Sequence, residues 1–183
     1  MNLNPYCTNL NFNNIPLFKE GVNLSMFKGV QTLGNVELHL HPELISFLDS
    51  LSVKISFFET FGLLANSKEY IHTDSLSGDY VKLNYIFGGK NSKMNWYSVK
   101  PNLNKLPSNT SIGTQYLKYD IEEVDLVHSQ TVKFPSIVQV GMPHSITNPD
   151  TWRICISLII HNTENKRITM AESQEIFKNY IVE

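Results

Sequence analysis

The run WRICISLII at residues 152–160 alternates between two kinds of side chain. The apolar set begins at Trp152 and returns at every second position to Ile160. The set between them is mostly polar and comprises Arg153, Cys155, Ser157 and Ile159. Because side chains two residues apart in a strand point to the same face, this pattern predicts a strand with one core face and with Arg153 on the other face.

Runs of similar β-branched and aromatic composition precede this strand. They cover residues 53–61, 69–73, 80–87, 94–99 and 132–141. Turn signals rich in Gly, Asn and Pro separate several of them, and parallel strands would need longer crossovers than the chain offers. We therefore predict a mainly β fold with antiparallel sheets, arranged as a sandwich or jelly roll.

Short helices flank the predicted strands. Apolar residues recur at helical spacing after Pro42, which suits the first turn of a helix. Thr169 and Glu172 have the spacing of a capping box ahead of a C-terminal helix. With 183 residues we expect a single domain over 1–183, made of a lead-in and helix at 1–52, a β core at 53–160 and a C-terminal segment at 161–183.

The composition of the chain argues against some classes of binding partner. The formal net charge is −2, so the chain has no basic field for a phosphate backbone and we expect no nucleic-acid partner. The sequence has no signal-peptide pattern and no apolar run long enough to cross a bilayer, so we expect no membrane partner. Its two cysteines, Cys7 and Cys155, do not form a disulfide framework, which favours a cytoplasmic location.

The segment EYIHTD at residues 69–74 brings two metal-ligand types onto one face of a strand. His72 and Asp74 are two residues apart, so imidazole and carboxylate can converge on one point. His144, in the segment GMPHS, is the candidate for a third ligand from another strand. Two histidines and one carboxylate are the facial ligand set of non-haem Fe(II) oxygenases. Hydrogen-bonded structural roles for these residues are the alternative.

Arg153 is predicted to lie close to His144. If residues 148–151 form the loop of a hairpin, Thr147 pairs with Trp152 and His144 lies opposite Cys155, so His144 and Arg153 become diagonal neighbours on one face. A buried guanidinium needs an anionic partner. That partner is either a carboxylate of the protein or the far carboxylate of a bound dicarboxylic acid.

The ordered set His72-Thr73-Asp74, His144 and Arg153 resembles the Fe(II)/2-oxoglutarate-dependent dioxygenases, which have an H-x-D…H metal triad and a downstream arginine. The segments VKLNYI at 81–86 and NSKMNWY at 91–97 are similar to a passage that recurs in small, largely uncharacterised single-domain members of that superfamily. The resemblance covers roughly residues 54–160. It implies a double-stranded β-helix, a cupin-like jelly roll with the metal between its two sheets.

The resemblance also implies roles for individual residues. His72, Asp74 and His144 would be the iron ligands and the catalytic centre, and Arg153 would pair with the distal carboxylate of 2-oxoglutarate. Three further residues are predicted to contact this cosubstrate. They are Asn84 and Lys82, on one face of the same strand, and Cys155, at a position where the family often has serine.

The substrate side of the site is predicted more coarsely. Tyr85 and Tyr97 are the predicted substrate-binding residues. The long loop at residues 100–111 and the first 35 residues would form the substrate wall. The sequence indicates a small-molecule or peptidyl substrate without naming it, and leaves the oligomeric state open.

The sequence thus predicts an oxygenase that uses Fe(II), 2-oxoglutarate and O₂, with hydroxylation of the substrate as the expected reaction. Two alternatives stay open at this point. One is a jelly-roll binding or structural module without catalysis, in which the His and Asp side chains are structural. The other is a cupin-like metalloenzyme that does not use 2-oxoglutarate.

Overall fold

A computed structural model describes residues 3–27, 31–76, 78–109, 115–133 and 135–182 of the chain. The helices are α1 Val36–His39, α2 Pro42–Ser50 and α3 Met170–Ile176, and short 3₁₀ turns occur at Leu24–Met26, Ile121–Glu123 and Lys178–Tyr180. The strands are β1 Cys7–Asn9, β2 Gln31–Leu33, β3 Val53–Leu63, β4 Ser67–Lys68, β5 Ile71–His72, β6 Val81–Gly88, β7 Lys93–Val99, β8 Ser108–Asn109, β9 Gln115–Tyr116, β10 Lys118–Tyr119, β11 Val124–Gln130, β12 Ser136–Gln139, β13 His144–Asn148 and β14 Arg153–Asn162.

The strands form two main antiparallel sheets, which confirms the predicted mainly β class. The larger sheet has six strands in the order β1-β12-β6-β14-β3-β2. The smaller sheet has the order β10-β5-β13-β7-β11, with β4 paired to β13 beside it. A separate pair joins β8 to β9. The N-terminal lead-in thus supplies β1 and β2, the two edge strands of the larger sheet.

Strand pairing within the two sheets is nested along the chain. Strand β3 pairs with β14, β5 with β13, β6 with β12, and β7 with β11. Each pair therefore lies inside the previous one in sequence. Consecutive strands mostly fall in different sheets, so the connections cross between them, and the inner faces of the two sheets enclose a common space.

The alternation that predicted β14 is confirmed. Ile156, Leu158 and Ile160 are buried in the main hydrophobic cluster on the outer face of the six-stranded sheet, where Leu44 and Leu48 of α2 also pack. Trp152 does not join them, because it precedes the strand and is exposed. The other set faces the opposite way, into the space between the sheets, where Arg153, Cys155 and Ser157 line a cavity.

Both predicted helices form with the expected caps. Helix α2 begins at Pro42, and the imidazole Nδ1 of His41 accepts a hydrogen bond from the backbone N–H of Glu43. Helix α3 carries the reciprocal Thr169–Glu172 capping box. Both cysteines are free and buried. Among the residues described, no helix combines the length and apolar character needed to cross a membrane.

The hairpin predicted between His144 and Arg153 is wrong. His144 belongs to β13 of the smaller sheet and pairs with His72 and Trp96, whereas Arg153 begins β14 of the larger sheet and pairs with Leu63 and Gly88. The connection at 149–152 passes from one sheet to the other instead of folding back. His144 and Arg153 therefore meet across the cavity between the sheets and not as neighbours within one.

Other strand boundaries also differ from expectation. The run at 69–73 contributes only the two-residue strand β5, and the run at 132–141 only β12. Strand β11 was not predicted, because its exposed pattern lacks a clear apolar face. The predicted long loop at 100–111 is irregular up to β8, and its residues 110 and 111 lie outside the described part of the chain.

Candidate metal centre

Two adjacent strands position the two histidines. His72 is the last residue of β5 and His144 the first residue of β13, and their Cα atoms are direct partners in the antiparallel ladder. Side chains at partner positions project from the same face of a sheet. The two imidazole rings accordingly lie with centroids 4.6 Å apart on the cavity side.

Asp74 completes a cluster of three donor atoms. It follows β5 directly, and its backbone N–H donates to the carbonyl of Val140 at 2.9 Å, which fixes the chain beyond the strand. Its Oδ1 lies 3.1 Å from Nε2 of His72 and 3.6 Å from Nε2 of His144. One donor atom from each of the three residues lies within 4.8 Å of the other two. The predicted convergence is confirmed, and the triad is geometrically placed to bind a metal ion.

Backbone carbonyls set the orientation of both imidazole rings. Nδ1 of His72 lies 3.0 Å from the carbonyl oxygen of Tyr70, and Nδ1 of His144 lies 2.9 Å from that of Met142. A carbonyl can only accept, so each Nδ1 carries the proton and donates it. In neutral His144 this leaves an unprotonated Nε2 toward the cluster, which is the arrangement typical of metal-ligating histidines. Nε2 of His72 lies 3.1 Å from Oδ1 of Asp74 and donates a proton to it, and His72 must give up that proton to bind a metal.

A lysine holds the second oxygen of Asp74. Nζ of Lys82 lies 2.7 Å from Oδ2 of Asp74 and 2.6 Å from Oε2 of Glu59. Burial opposes the charge of Lys82, yet the charges of Asp74 and Glu59 raise its pKa above the ordinary value. Burial would raise the pKa of Asp74, but Lys82 and the two histidines hold it well below its usual range. Asp74 is therefore a carboxylate with one oxygen turned to the cluster.

The two histidines respond differently to their surroundings. Burial, reinforced by the neighbouring His72, lowers the pKa of His144 to about 4. Burial also disfavours the charged form of His72, but the hydrogen bond to Asp74 and its charge outweigh burial and raise the pKa. His144 is therefore neutral at physiological pH, in the form that can ligate a cation.

The cluster lies at one side of a cavity between the sheets. Counting the part open to solvent, the cavity has about 420 Å³ of empty volume. Its lining combines the triad with apolar and polar residues, namely Phe61, Glu69, Asn84, Met94, Val140, Ile146, Arg153, Cys155 and Ser157.

Arg153 is buried in this lining without a close counter-ion. The residue is 5% exposed, and its Nε has no hydrogen-bond partner among the residues that the structure describes. No carboxylate of those residues lies within 4.0 Å of its guanidinium. Gly89 packs against the aliphatic part of the Arg153 side chain. A Cβ at position 89 would lie only 2.8 Å from Cβ of Arg153, and the φ of +53° at Gly89 also favours glycine.

The other predicted cosubstrate residues face the same space. Asn84 and Ser157 are partners on β6 and β14, and the Ser157 hydroxyl donates to Oδ1 of Asn84 at 2.7 Å. Cys155 lines the cavity between Arg153 and Ser157, and burial raises the pKa of its thiol to about 11, so the thiol stays protonated. Lys82 faces inward but is held by Asp74 and Glu59 and is not part of the cavity lining.

The two predicted substrate-binding tyrosines lie elsewhere, which corrects that assignment. Tyr85 follows Asn84 on β6, so it points to the opposite face and is buried in the outer hydrophobic cluster. Tyr97 follows inward-facing Trp96, packs with Ile71 on the outer face of the smaller sheet, and lies 3.0 Å from the Ser145 hydroxyl. Strand alternation alone could have shown that Tyr85 and Asn84 do not share a face.

Sequence reasoning missed two acidic residues near the cluster. Glu59 is the second partner of Lys82, and Glu69 lies in the cavity lining after β4. Glu59 stands directly opposite Ser157 on β3, so the pairing of β3 with β14 would have pointed to it. The described residues of the predicted substrate wall, 3–27, 31–35 and 100–109, do not line the cavity.

Comparison with known proteins adds little. No family model and no curated protein matches the sequence. Among solved structures, peruvianin-I, a cysteine peptidase from Thevetia peruviana latex, aligns at 13% identity over 91% of this chain and 96% of its own, with a TM-score of 0.34. Vicilin from Capsicum annuum aligns at 12% identity over 93% of this chain and 44% of its own, with a TM-score of 0.32. At such scores neither alignment informs the fold or activity of this chain.

Proposed function

We propose that the protein is a non-haem oxygenase that uses Fe(II), 2-oxoglutarate and O₂. One observation carries the proposal: a His-Asp-His triad and a buried guanidinium with an unpartnered Nε and no ion-pair contact among the described residues line the same cavity. The donor set of two imidazole nitrogens and one carboxylate oxygen fits Fe(II). The unpartnered Nε of Arg153 fits one carboxylate of a dicarboxylic acid, which a guanidinium binds through paired N–H donors.

The fold we propose for this function is a double-stranded β-helix, or jelly roll. The nested pairing of β3 with β14, β5 with β13, β6 with β12 and β7 with β11 supports it, because a jelly roll wraps its first strand against its last and its middle strands against each other. His72 then lies on the second of these eight strands with Asp74 just after it, His144 on the seventh, and Arg153 at the start of the eighth.

Each residue has a stated task in this proposal. His72, Asp74 and His144 hold the cation from one side, and Lys82 keeps the second oxygen of Asp74 occupied so that one oxygen is presented. Arg153 binds and orients the far carboxylate of the cosubstrate. Bound Fe(II) together with 2-oxoglutarate supplies oxidative decarboxylation and the oxidation of a substrate C–H bond. The apolar side chains of the lining exclude water from the reacting groups.

An anaerobic titration tests the proposal. Purified protein is loaded with Fe(II), 2-oxoglutarate is added, and the weak visible charge-transfer band of the chelate is followed. We expect a saturable band for the wild-type protein. The absence of the band at saturating ligand would contradict the oxygenase assignment.

Arginine variants separate the proposal from its alternatives. Arg153→Gln is expected to abolish tight 2-oxoglutarate binding while Fe(II) binding persists. The other arginine of the sequence, Arg167, lies outside the cavity over the ring of Tyr80, so Arg167→Gln is the matched control and should behave as wild type. Activity that survives Arg153→Gln would favour a metalloenzyme without 2-oxoglutarate. A protein that binds no stoichiometric Fe(II) would be a non-catalytic module.

A further inference from the structure

The charged groups of the cavity do not all have partners. Lys82 is engaged by two carboxylates, those of Asp74 and Glu59. Asp74 also contacts the two histidines, so both of its oxygens are engaged. These contacts account for one buried cation and two partly buried anions around the metal cluster. Arg153 and Glu69 are then the two charged residues of the cavity lining that have no ion-pair contact among the described residues.

Glu69 is held in position by the backbone of the smaller sheet. It follows β4, and its backbone N–H donates to the carbonyl of Ile146 at 2.8 Å. Ile146 lies on β13 between His144 and Asn148. His144 belongs to the metal cluster. The side chain of Asn148 donates to the carbonyls of Leu63 and Thr151, beside Arg153. Glu69 therefore lines the same cavity as the metal cluster and the guanidinium, which is the space that a bound dicarboxylate would share.

We propose that Glu69 is the internal counter-charge of Arg153 and competes for it with the distal carboxylate of the dicarboxylic cosubstrate. This inference rests on the proposed function, since it assigns Arg153 to that carboxylate. The two side chains share a cavity and lie within electrostatic range but beyond ion-pair contact. In the ligand-free protein the guanidinium thus has a partial counter-charge and can still accept a carboxylate at ion-pair distance.

The surroundings of Glu69 support this role. Burial raises the pKa of its carboxyl group, and the positive charges of His72, Arg153 and Lys82 act in the opposite direction, whereas Asp74 adds to the increase. An ionised Glu69 beside a bound dicarboxylate would place two anions in a space of low dielectric constant, which costs binding free energy. Glu69 would therefore weaken cosubstrate binding and raise the concentration at which the protein responds to it.

Thermal unfolding of the metal-free protein tests the pairing without any ligand. Glu69→Gln leaves Arg153 without a counter-charge and is expected to lower Tm by about 3 °C or more. In an Arg153→Gln background the same change should leave Tm unchanged or raise it, because the glutamate then has no partner to lose. Additive effects of the two substitutions would overturn the pairing.

Calorimetric titration of Mn(II)-loaded protein with 2-oxoglutarate tests the competition. Glu69→Gln is expected to lower the Kd about tenfold, while the Kd for Mn(II) changes less than about twofold. Glu37→Gln, which removes an exposed carboxylate on α1, is the control and should match wild type. An unchanged or higher Kd for 2-oxoglutarate in Glu69→Gln, with binding still dependent on Arg153, would overturn this inference and leave the proposed function intact.

The two proposals also fail in distinguishable ways. If Mn(II)-loaded wild-type protein binds no 2-oxoglutarate, the proposed function fails and the competition fails with it. The thermal comparison in metal-free protein then still decides whether Glu69 and Arg153 act as a pair.

Discussion

The two faces of strand β6 serve different purposes. On the outer face, Leu83 and Tyr85 are buried in the main hydrophobic cluster. On the inner face, Lys82 and Asn84 take part in the polar network around the candidate metal centre. Adjacent residues of one strand thus stabilise the fold in two different ways. The outer residues bury apolar surface, and the inner residues take part in ion pairs and hydrogen bonds. Only the inner face takes part in the candidate site.

The largest expected effect concerns the inner face. Lys82→Met removes the charge between Asp74 and Glu59 and is expected to reduce the free energy of unfolding of the metal-free protein by about 4 kcal/mol, because two carboxylates lose their buried partner. Saturating Mn(II) should restore part of this loss, since a cation at the triad replaces the missing charge beside Asp74. Urea unfolding with and without Mn(II) measures both values. Equal losses in the two conditions would contradict the role of Lys82 at the cluster.

The neighbouring position on the outer face gives the matched comparison. Leu83 is fully buried, so Leu83→Ala is expected to reduce the free energy of unfolding by about 3 kcal/mol through lost apolar contacts and a residual cavity. The Kd for Mn(II), measured by calorimetry on the folded variant, should stay within about twofold of wild type. A large change in metal affinity would show that the two faces are not independent.

Substitution of a candidate metal ligand tests directly whether the triad binds a metal ion. His144→Ala is expected to weaken Mn(II) binding at least about 100-fold, equivalent to about 2.7 kcal/mol, because one of three ligands is lost. His161→Ala is the control, since His161 lies at the far end of β14 and contacts Ser56. Metal binding by His144→Ala at wild-type affinity would exclude the triad as the site.

The hydroxyl of Tyr97 tests the outer face of the smaller sheet. Tyr97→Phe removes its buried hydrogen bond with Ser145 and is expected to cost about 1 kcal/mol of unfolding free energy. Binding of 2-oxoglutarate should not change, because Tyr97 does not line the cavity. Denaturant unfolding and calorimetry measure the two quantities. Weaker 2-oxoglutarate binding would restore the sequence-based assignment of Tyr97 to the site.

The smallest expected effect is at Tyr85, where a substitution is predicted to stabilise the protein rather than destabilise it. The hydroxyl of Tyr85 is buried without a hydrogen-bond partner among the described residues. Tyr85→Phe removes an unsatisfied polar group and is expected to leave the free energy of unfolding unchanged or to raise it by about 1 kcal/mol. Thermal and urea unfolding measure the change. A loss as large as that of Tyr97→Phe would mean that this hydroxyl has a partner after all.

The sequence predicts the strands best where alternation is strong. Strand β14 has an apolar face and a polar face along most of its length, so both its existence and its orientation follow from periodicity. Strand β11 has exposed residues on both faces at the edge of the smaller sheet, and no period marks it. Helices α2 and α3 follow from proline and capping signals that act within a few residues.

The candidate site could be predicted in its composition but not in its geometry. His72 and Asp74 converge because their spacing within the chain dictates it. The relation of His144 to Arg153 depends on which sheet each strand joins, and a short connection such as 149–152 fits a hairpin and a crossing between sheets equally well. Glu59 and Glu69 could not be assigned, because their partners come from distant strands.

Strand β5 has only two residues, and it ends in His72, directly opposite His144. So brief a strand has few ladder hydrogen bonds of its own, and backbone bonds from Glu69 to Ile146 and from Asp74 to Val140 hold the residues on either side of it. A cation bound by both imidazoles and by Asp74 would cross-link β5 and the residues after it to β13. Metal binding and the local order of β5 would then depend on each other. Loss of the ion would loosen the segment that is needed to bind it again.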